Sequence, residues 1–203
     1  MRVLKIALTG GIACGKSQLG DFFTKFGADV IKLDDISKQV TMPKTKGLKA
    51  LVAVFGAKIL NQDNSLNRSE LRNILLEIQE NRSIIEEILH PIILDKMQKM
   101  IEKVEKSLVI VEVPLLIEKK LDYLFDRAII VTCSEKEQLK RLKKRKNINE
   151  NTAKMLISAQ VSQQQRLALA KIMPTDIVNN DSNMANLEIQ AEKLYQTLKN
   201  QST

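Results

Sequence analysis

Residues 10–17, GGIACGKS, match the pattern G-x-x-x-x-G-K-[ST] and are the strongest indication of the fold of this chain. Residues 3–8, which precede them, form a short apolar run that indicates a buried parallel strand. Residues 18–26, which follow, place Leu19 and Phe23 at helical spacing. A strand, a glycine-rich loop and a helix in this order are typical of a phosphate-binding loop, or P-loop. We therefore predict a nucleotide site at this loop rather than an ordinary glycine-rich turn.

The chemistry of such a loop depends on its backbone and on two side chains. Glycines let successive N–H groups turn inward, and the N-terminus of the helix adds partial positive charge. Lys16 then reaches the β- and γ-phosphates of ATP, and Ser17 ligates Mg²⁺. The residues expected to bind ATP at the loop are Gly11, Ala13, Cys14, Gly15, Lys16, Ser17 and Gln18.

The composition limits the class of protein. The 203 residues suffice for one sizeable α/β domain with an insertion, or for two small domains. No apolar run approaches the ~18 residues of a membrane span, so no membrane partner is expected. Two cysteines, Cys14 and Cys133, do not make a disulfide framework, which predicts a reduced, cytoplasmic compartment. Cys14 either fills an unconstrained loop position or has its thiol pKa lowered by the positive helix end.

The net charge of +8 is concentrated late in the chain, where residues 136–146 carry seven basic side chains. They are Lys136, Lys140, Arg141, Lys143, Lys144, Arg145 and Lys146. Such a run indicates a polyanionic partner or a solvated helix face. The near absence of aromatic residues in the segment argues against nucleic acid, because base stacking would require them.

Strand-like runs alternate with helical patterns, which predicts a parallel sheet with helices on both faces. The strand-like runs are residues 3–8, 28–33, 108–113, 128–132 and 176–178. Between the second and third runs the chain has strong helical periodicity, interrupted by His90 and Pro91, where proline should kink the helix. We therefore predict one P-loop domain, 1–203. Its core is 1–34 and 107–203, its all-helical insertion about 35–106 and its lid about 134–168.

Three acids fall where the ligand of an open α/β sheet is expected, at the carboxyl ends of the strands. Asp34 and Asp35 are expected to end the second strand, and Glu112 the third. We interpret Asp35 as a helix N-cap. A carboxylate beside phosphates is repulsive unless it handles Mg²⁺ or accepts a proton, so we assign functional roles to Asp34 and Glu112, with Ser17 and Glu112 holding the metal. An inserted helical region can hold the phosphate acceptor, and a basic helix late in the chain can close over ATP as a lid that excludes water. These two features favour a small-molecule kinase.

Several longer segments resemble the dephospho-CoA kinase family over almost the whole chain. These segments are LTGGIACGKS (8–17), GADVIKLDDISKQV (27–40), FGAKIL (55–60), LNRSELR (66–72), LHPII (89–93), VPLLIE (113–118), QLKRLKKR (138–145) and AQVSQQQRLALA (159–170). The resemblance implies transfer of the γ-phosphoryl group of ATP to the 3′-hydroxyl of dephospho-CoA, giving CoA and ADP. It implies a P-loop NTPase-type sheet with an acceptor-binding helical subdomain and a helical lid.

The resemblance also implies residue roles. Asp34 would be the catalytic base, with Lys16 and Arg141 as further catalytic residues, Arg145 as a second lid arginine and Asn180 near the adenine. The residues on the acceptor side would be Asp34, Arg68, His90, Pro114, Leu115, Glu118, Gln160 and Arg166.

The chain departs from the family pattern at three places. Lys32 replaces the first acid of an Asp-x-Asp pattern, Ala13 must adopt a backbone shape that glycine takes more easily, and residues 177–181 match the adenine segment loosely. Two alternatives remain open: another P-loop kinase, acting on a nucleoside monophosphate or a shikimate-like alcohol, and a nucleic-acid-binding P-loop protein. With dephospho-CoA as substrate we expect no nucleic-acid partner, and a monomer or small homo-oligomer.

Overall fold

The computed structural model describes residues 3–77, 80–145 and 148–202, and within them the five predicted strands form one sheet. The strands are β1 (Leu4–Gly10), β2 (Asp29–Lys32), β3 (Leu108–Glu112), β4 (Arg127–Thr132) and β5 (Thr175–Asn179). Their order across the sheet is β2-β3-β1-β4-β5, and β1 pairs in parallel with both β3 and β4. The prediction of a parallel α/β sheet is confirmed.

Helices connect these strands, as the alternating patterns predict. They are α1 (Lys16–Lys25), α2 (Leu33–Val40), α3 (Lys46–Phe55), α4 (Arg68–Glu77), α5 (Glu80–Ile101), α6 (Glu135–Lys143), α7 (Glu150–Ser158), α8 (Gln163–Leu167) and α9 (Met184–Gln201). Among the described residues, no helix combines the length and the apolar composition that crossing a membrane requires.

The chain divides into two compact units. The core unit consists of Met1–Ile31 and Val104–Thr203, and the helical unit is Lys32–Lys103. In the helical unit, α5 packs with α2, α3 and α4. Pro91 lies inside α5, which continues as a helix on both sides of it. The binding of an acceptor by this unit stays a prediction.

The core unit is built around the sheet by aliphatic side chains. The strands β1, β3 and β4 are almost wholly buried and lack the alternation of a half-exposed sheet, because both of their faces are covered. Helix α1 packs beside α9, where Phe23 and Leu187 are fully buried. Each such side chain stabilises the fold by about 1.5–3 kcal/mol. This packing anchors α1, which follows the phosphate loop, on the core.

Two local predictions are wrong. Strand β2 ends at Lys32 and α2 begins at Leu33, so Asp35 is not an N-cap; Lys32 is the N-cap residue. Asp34 and Asp35 instead occupy the first turn of α2, where carboxylates interact favourably with the positive end of the helix. They therefore follow the strand without ending it.

The helix that carries the basic run ends before the run does. Helix α6 ends at Lys143, so the four-residue spacing of Arg141 and Arg145 does not place them on one helix face. Lys146 lies outside the described residues. Because the helix ends before Arg145, the four-residue spacing from Arg141 does not predict where the Arg145 side chain points.

Candidate active site

The loop between β1 and α1 adopts backbone conformations that explain its composition. Gly15 has φ 100° and ψ 24°, in the left-handed region that favours glycine. Ala13 has φ 59°, so the departure from glycine at this position places an alanine in a left-handed conformation. Lys16 then begins α1, and Ser17 and Gln18 lie in its first turn, whose N–H groups have no acceptor within the helix. These N–H groups and the positive end of the helix form the anion-binding element that the sequence predicts.

Two glutamines hold the middle of the loop. The Gln138 Nε2 donates to the carbonyl oxygen of Ile12 at 2.8 Å, and the Gln160 Oε1 accepts from the Ile12 N–H at 2.7 Å. Gly11 lies so close to these groups that a Cβ there would stand 2.7 Å from the Gln138 Nε2 and 3.4 Å from the Arg166 Nη1. A side chain at position 11 would therefore force Gln138 to move and would disturb its hydrogen bond to Ile12. Residues from the predicted lid segment anchor the loop directly.

Asn180 and Arg141 hold the next part of the loop. The Asn180 Nδ2 donates to the Cys14 carbonyl oxygen at 2.8 Å, and Asn180 is only 5% exposed. The Arg141 guanidinium donates to the Asn180 carbonyl oxygen at 2.6 Å and to those of Ala13 and Cys14 at 3.3 and 3.4 Å. Because these side chains bind the loop carbonyls, they fix the orientation of the peptide groups and preorganise the loop.

Lys16 lies over the start of the loop. Its Nζ donates to the carbonyl oxygens of Gly10 and Gly11 at 2.9 and 3.1 Å. The ammonium group is thus held at the loop itself, where phosphate oxygens are expected. A lysine in this place supplies a point charge for a phosphate group.

Ser17 and Glu112 meet at the edge of the sheet where β1 and β3 end. Leu8 of β1 pairs with Glu112 of β3, and the Ser17 Oγ donates to the Glu112 Oε1 at 2.8 Å. The Glu112 Oε2 is buried and has no hydrogen-bond partner within the described part of the chain. A hydroxyl and a carboxylate with a spare oxygen suit Mg²⁺, which prefers oxygen ligands. No cluster of three or more His, Cys, Asp or Glu side chains occurs among the described residues, so phosphate oxygens and water would have to complete the coordination.

Arg166 is a buried cation beside the loop. It is 6% exposed, and its Nη2 donates to the Gln160 Oε1 at 3.2 Å. Burial lowers the pKa of Arg166 below its usual value, and the negative charge of Glu118 opposes that shift. Glu118 also accepts a hydrogen bond from the Val161 N–H at 3.4 Å. Gln160, Arg166 and Glu118 are therefore brought together, with Arg166 available to an anionic group.

The remaining predicted residues of the core unit are half-buried or exposed. Pro114 is half-buried and Leu115 is exposed in the turn after β3. Arg145 is exposed beyond the end of α6. The structure thus groups the loop, Glu112, Arg141, Gln160, Arg166 and Asn180 around one end of the sheet.

Three predicted residues belong to the helical unit. Asp34 is exposed in the first turn of α2. The Arg68 Nη2 donates to the hydroxyl of Thr41, which is buried, at 3.2 Å. The His90 Nε2 is buried and has no hydrogen-bond partner among the residues for which the structure gives positions. His90 thus has an unsatisfied nitrogen that a bound molecule could engage.

Sequence reasoning missed the role of Gln138. It is buried in α6, three residues before Arg141, and both side chains reach the loop. That spacing places them on one helix face. The isolated amide within a basic run was a signal that could have identified Gln138. Cys133 was also missed, because nothing local in the sequence relates it to the loop.

The fold and the site together define a class of protein. A parallel sheet with a phosphate-binding loop after β1, a helical unit after β2 and an arginine-bearing helix at the loop characterise a P-loop kinase. Comparisons with known proteins then specify the family. The family model described as dephospho-CoA kinase matches residues 4–186, and the chain belongs to that family.

Curated relatives agree over nearly the full length. The dephospho-CoA kinase of Vibrio parahaemolyticus is 36% identical over 194 residues, which cover 95% of this chain and 93% of the relative. The dephospho-CoA kinase of Buchnera aphidicola is 38% identical over 184 residues, covering 91% and 86%.

Solved structures share the fold. A protein from Thermus thermophilus superposes with a TM-score of 0.81 at 20% identity, covering 98% of this chain and 99% of that one. A dephospho-CoA kinase from Campylobacter jejuni gives 0.72 at 23% identity, covering 98% of each chain.

Proposed function

We propose that this chain transfers the γ-phosphoryl group of ATP to the 3′-hydroxyl of dephospho-CoA, giving CoA and ADP. This is the last step of coenzyme A biosynthesis. The observation that carries the proposal is the anchored phosphate loop in a chain of this family, in which Gln138, Arg141 and Asn180 bind the loop carbonyls. We place the enzyme in the cytoplasm, without a nucleic-acid partner, as a monomer or small homo-oligomer.

The loop and its neighbours bind the triphosphate of ATP. The loop N–H groups and the N-terminus of α1 hold the phosphate oxygens, and Gln18 lies in the same first turn. Lys16 exchanges its hydrogen bonds with Gly10 and Gly11 for phosphate oxygens and offsets the charge that develops during transfer. Asn180 orients the loop on the adenine side.

The lid arginine is preorganised by the protein. Arg141 is held by the Asn180 carbonyl and by the carboxylate of Glu137, whose Oε2 lies 3.5 Å from the Arg141 Nε. A guanidinium fork matches phosphate geometry, so a small movement of Arg141 suffices to place it on the transferring group. Arg145 acts as a second, more exposed cation of the lid.

Ser17 and Glu112 would hold Mg²⁺ through the Ser17 hydroxyl and the Glu112 carboxylate. When bound, the ion neutralises charge on the β- and γ-phosphates. The chain contributes the buried Glu112 carboxylate, whose Oε2 has no hydrogen-bond partner among the described residues.

On the acceptor side, we assign Asp34 to accept the proton of the ribose 3′-hydroxyl as transfer proceeds. Arg68 and His90 of the helical unit and Pro114 and Leu115 of the turn after β3 position the acceptor. Glu118, Gln160 and Arg166 are also assigned to acceptor binding. The support is that all of these positions lie within the stretch that the family model matches, together with the buried unpaired nitrogen of His90.

An acceptor panel tests the proposal. Release of ADP is measured with dephospho-CoA, nucleoside monophosphates, shikimate and no acceptor, and the product is identified by mass spectrometry. We expect phosphorylation of dephospho-CoA alone, and Lys16→Ala should lower turnover by orders of magnitude. Preference for another acceptor would point to a different P-loop kinase. Retention of an oligonucleotide at low salt with no phosphorylation would point to the nucleic-acid alternative.

A further inference from the structure

The only two cysteines of the chain meet beside the phosphate loop. The Cys14 and Cys133 sulfur atoms lie 2.9 Å apart although the residues are 119 positions apart in sequence. Both cysteines are free thiols, and each is 2% exposed. This pairing has no counterpart in the phosphate-transfer chemistry described above.

Parallel strand pairing explains why the thiols meet. Gly10 at the end of β1 pairs with Val131 of β4, so the residues that follow both strands emerge at the same edge of the sheet. Cys133 follows directly after β4, and Cys14 turns back toward it within the loop. Their proximity is therefore a property of the sheet and the loop together.

The two thiols are chemically unequal. The Cys133 thiol donates to the Cys14 sulfur, which lowers the pKa of Cys14 to about 7. Lys16 and Arg166 also favour the Cys14 thiolate, whereas burial opposes it. The same hydrogen bond raises the pKa of Cys133 above its usual value. Cys14 is consequently the better nucleophile near neutral pH.

A small molecule has a route to this pair. Cys14 lines a cavity of about 380 Å³, whose wall also includes Gln138, Gln160 and Arg166. The cavity is wide enough for several water-sized molecules. Hydrogen peroxide, which is small and uncharged, can therefore approach the Cys14 sulfur from inside the site.

We propose that Cys14 and Cys133 form an oxidation site at which hydrogen peroxide produces an intramolecular disulfide that weakens nucleotide binding. The Cys14 thiolate attacks one peroxide oxygen, forming an S–O bond as the O–O bond breaks and hydroxide leaves. That hydroxide takes the Cys133 thiol proton and becomes water. The Cys133 sulfur then attacks the Cys14 sulfur, forming the S–S bond as the S–O bond breaks and a second hydroxide leaves. The two sulfurs lose two electrons, which reduce the peroxide.

The disulfide alters the loop because Cys14 belongs to it. The sulfurs must approach from 2.9 Å to ~2.05 Å, and the Cys14 carbonyl is held meanwhile by Asn180 at 2.8 Å. A displacement that breaks this hydrogen bond should raise the Kd for ATP about 10-fold to 100-fold. The accompanying loss of turnover rests on the proposed function, whereas the bond itself does not. In a reducing compartment the disulfide is transient.

The experiment compares the whole wild-type chain with Cys133→Ser after treatment with hydrogen peroxide. Serine keeps a hydrogen-bond donor to Cys14 but cannot form the disulfide, and the reduced variant should phosphorylate dephospho-CoA as the wild type does. Wild type should lose both titratable thiols and two hydrogen atoms of mass, and a peptide map should join residues 14 and 133. The variant should instead accumulate a dimedone adduct on Cys14. Dithiothreitol should restore binding of a fluorescent ATP analogue to oxidised wild type.

Two results would overturn the proposal. The first is a wild-type chain that forms the same dimedone adduct and no disulfide. The second is a disulfide-bonded chain that binds the ATP analogue as tightly as the reduced one. If Cys133→Ser fails to fold, the peptide map and the nucleotide titration of wild type still decide. If reduced wild type does not phosphorylate dephospho-CoA, the proposed function fails, while thiol count and mass still report the bond.

Discussion

Replacement of Gly15 by alanine tests how the phosphate loop is held. Gly15 has φ +100°, and a Cβ built on it would lie 2.3 Å from the Asn180 Nδ2. That amide is buried and donates to the Cys14 carbonyl at 2.8 Å. The new methyl group therefore cannot be accommodated unless Asn180 gives up this hydrogen bond.

Two contributions set how far Gly15→Ala lowers the free energy of unfolding. The left-handed backbone conformation costs about 1–2 kcal/mol for a residue with a Cβ. Loss of the buried hydrogen bond between Asn180 and Cys14 costs about 1–3 kcal/mol more. The free energy of unfolding should therefore fall by about 2–5 kcal/mol. Gly27→Ala is the matched control, because Gly27 has φ +96° and its nearest contact would be the Tyr195 hydroxyl at 3.7 Å, an ordinary distance. It should lose only about 1–2 kcal/mol.

Urea unfolding followed by circular dichroism measures both losses. Gly15 and Gly27 lie in the same core unit, so separate unfolding of the helical unit would affect both variants alike. In an Asn180→Ala background the clash is absent, and Gly15→Ala should then cost no more than Gly27→Ala. Equal losses for the two glycine variants in the wild-type background would refute the packing argument.

The remaining predictions concern activity. Arg141→Ala should lower kcat strongly because it removes the guanidinium bound to the Asn180 carbonyl at 2.6 Å. Lys143→Ala breaks only an exposed ion pair with Glu150 and should leave kcat unchanged. Equal effects of the two variants on kcat in steady-state assays would favour a bulk positive field. Asp34→Asn should lower kcat while ATP binding is retained, whereas Asp35→Asn should change kcat little because Asp35 pairs with an exposed lysine. Steady-state kinetics and nucleotide titration measure the two effects. The reverse ranking would assign the catalytic base to Asp35. His90→Asn should raise the KM for dephospho-CoA more than it lowers kcat, and a collapse of kcat at unchanged KM would make His90 catalytic.

Much of the fold could be predicted because its signals are local. The apolar runs of the five strands and the spacing of apolar residues in α1 depend only on neighbours in sequence, and the structure confirms them. Boundaries were less predictable. Two acids directly after an apolar run looked like a strand end and a cap, yet the extended Lys32 leads directly into α2. Likewise, α6 ends at Lys143 within a run of basic residues that shows no break.

The candidate site divides in the same way. The loop, Lys16, Ser17 and the family motifs could be predicted from the sequence alone, because a P-loop is a contiguous pattern whose backbone binds the phosphates. The sequence also predicted that Ser17 and Glu112, 95 residues apart, hold one metal ion, and the structure places their side chains 2.8 Å apart. The approach of Cys133 to within 2.9 Å of Cys14 could not be predicted from the sequence. These contacts follow from the parallel register of β3 and β4 on β1, because hydrogen bonds between strands set which distant residues emerge at the same edge of the sheet.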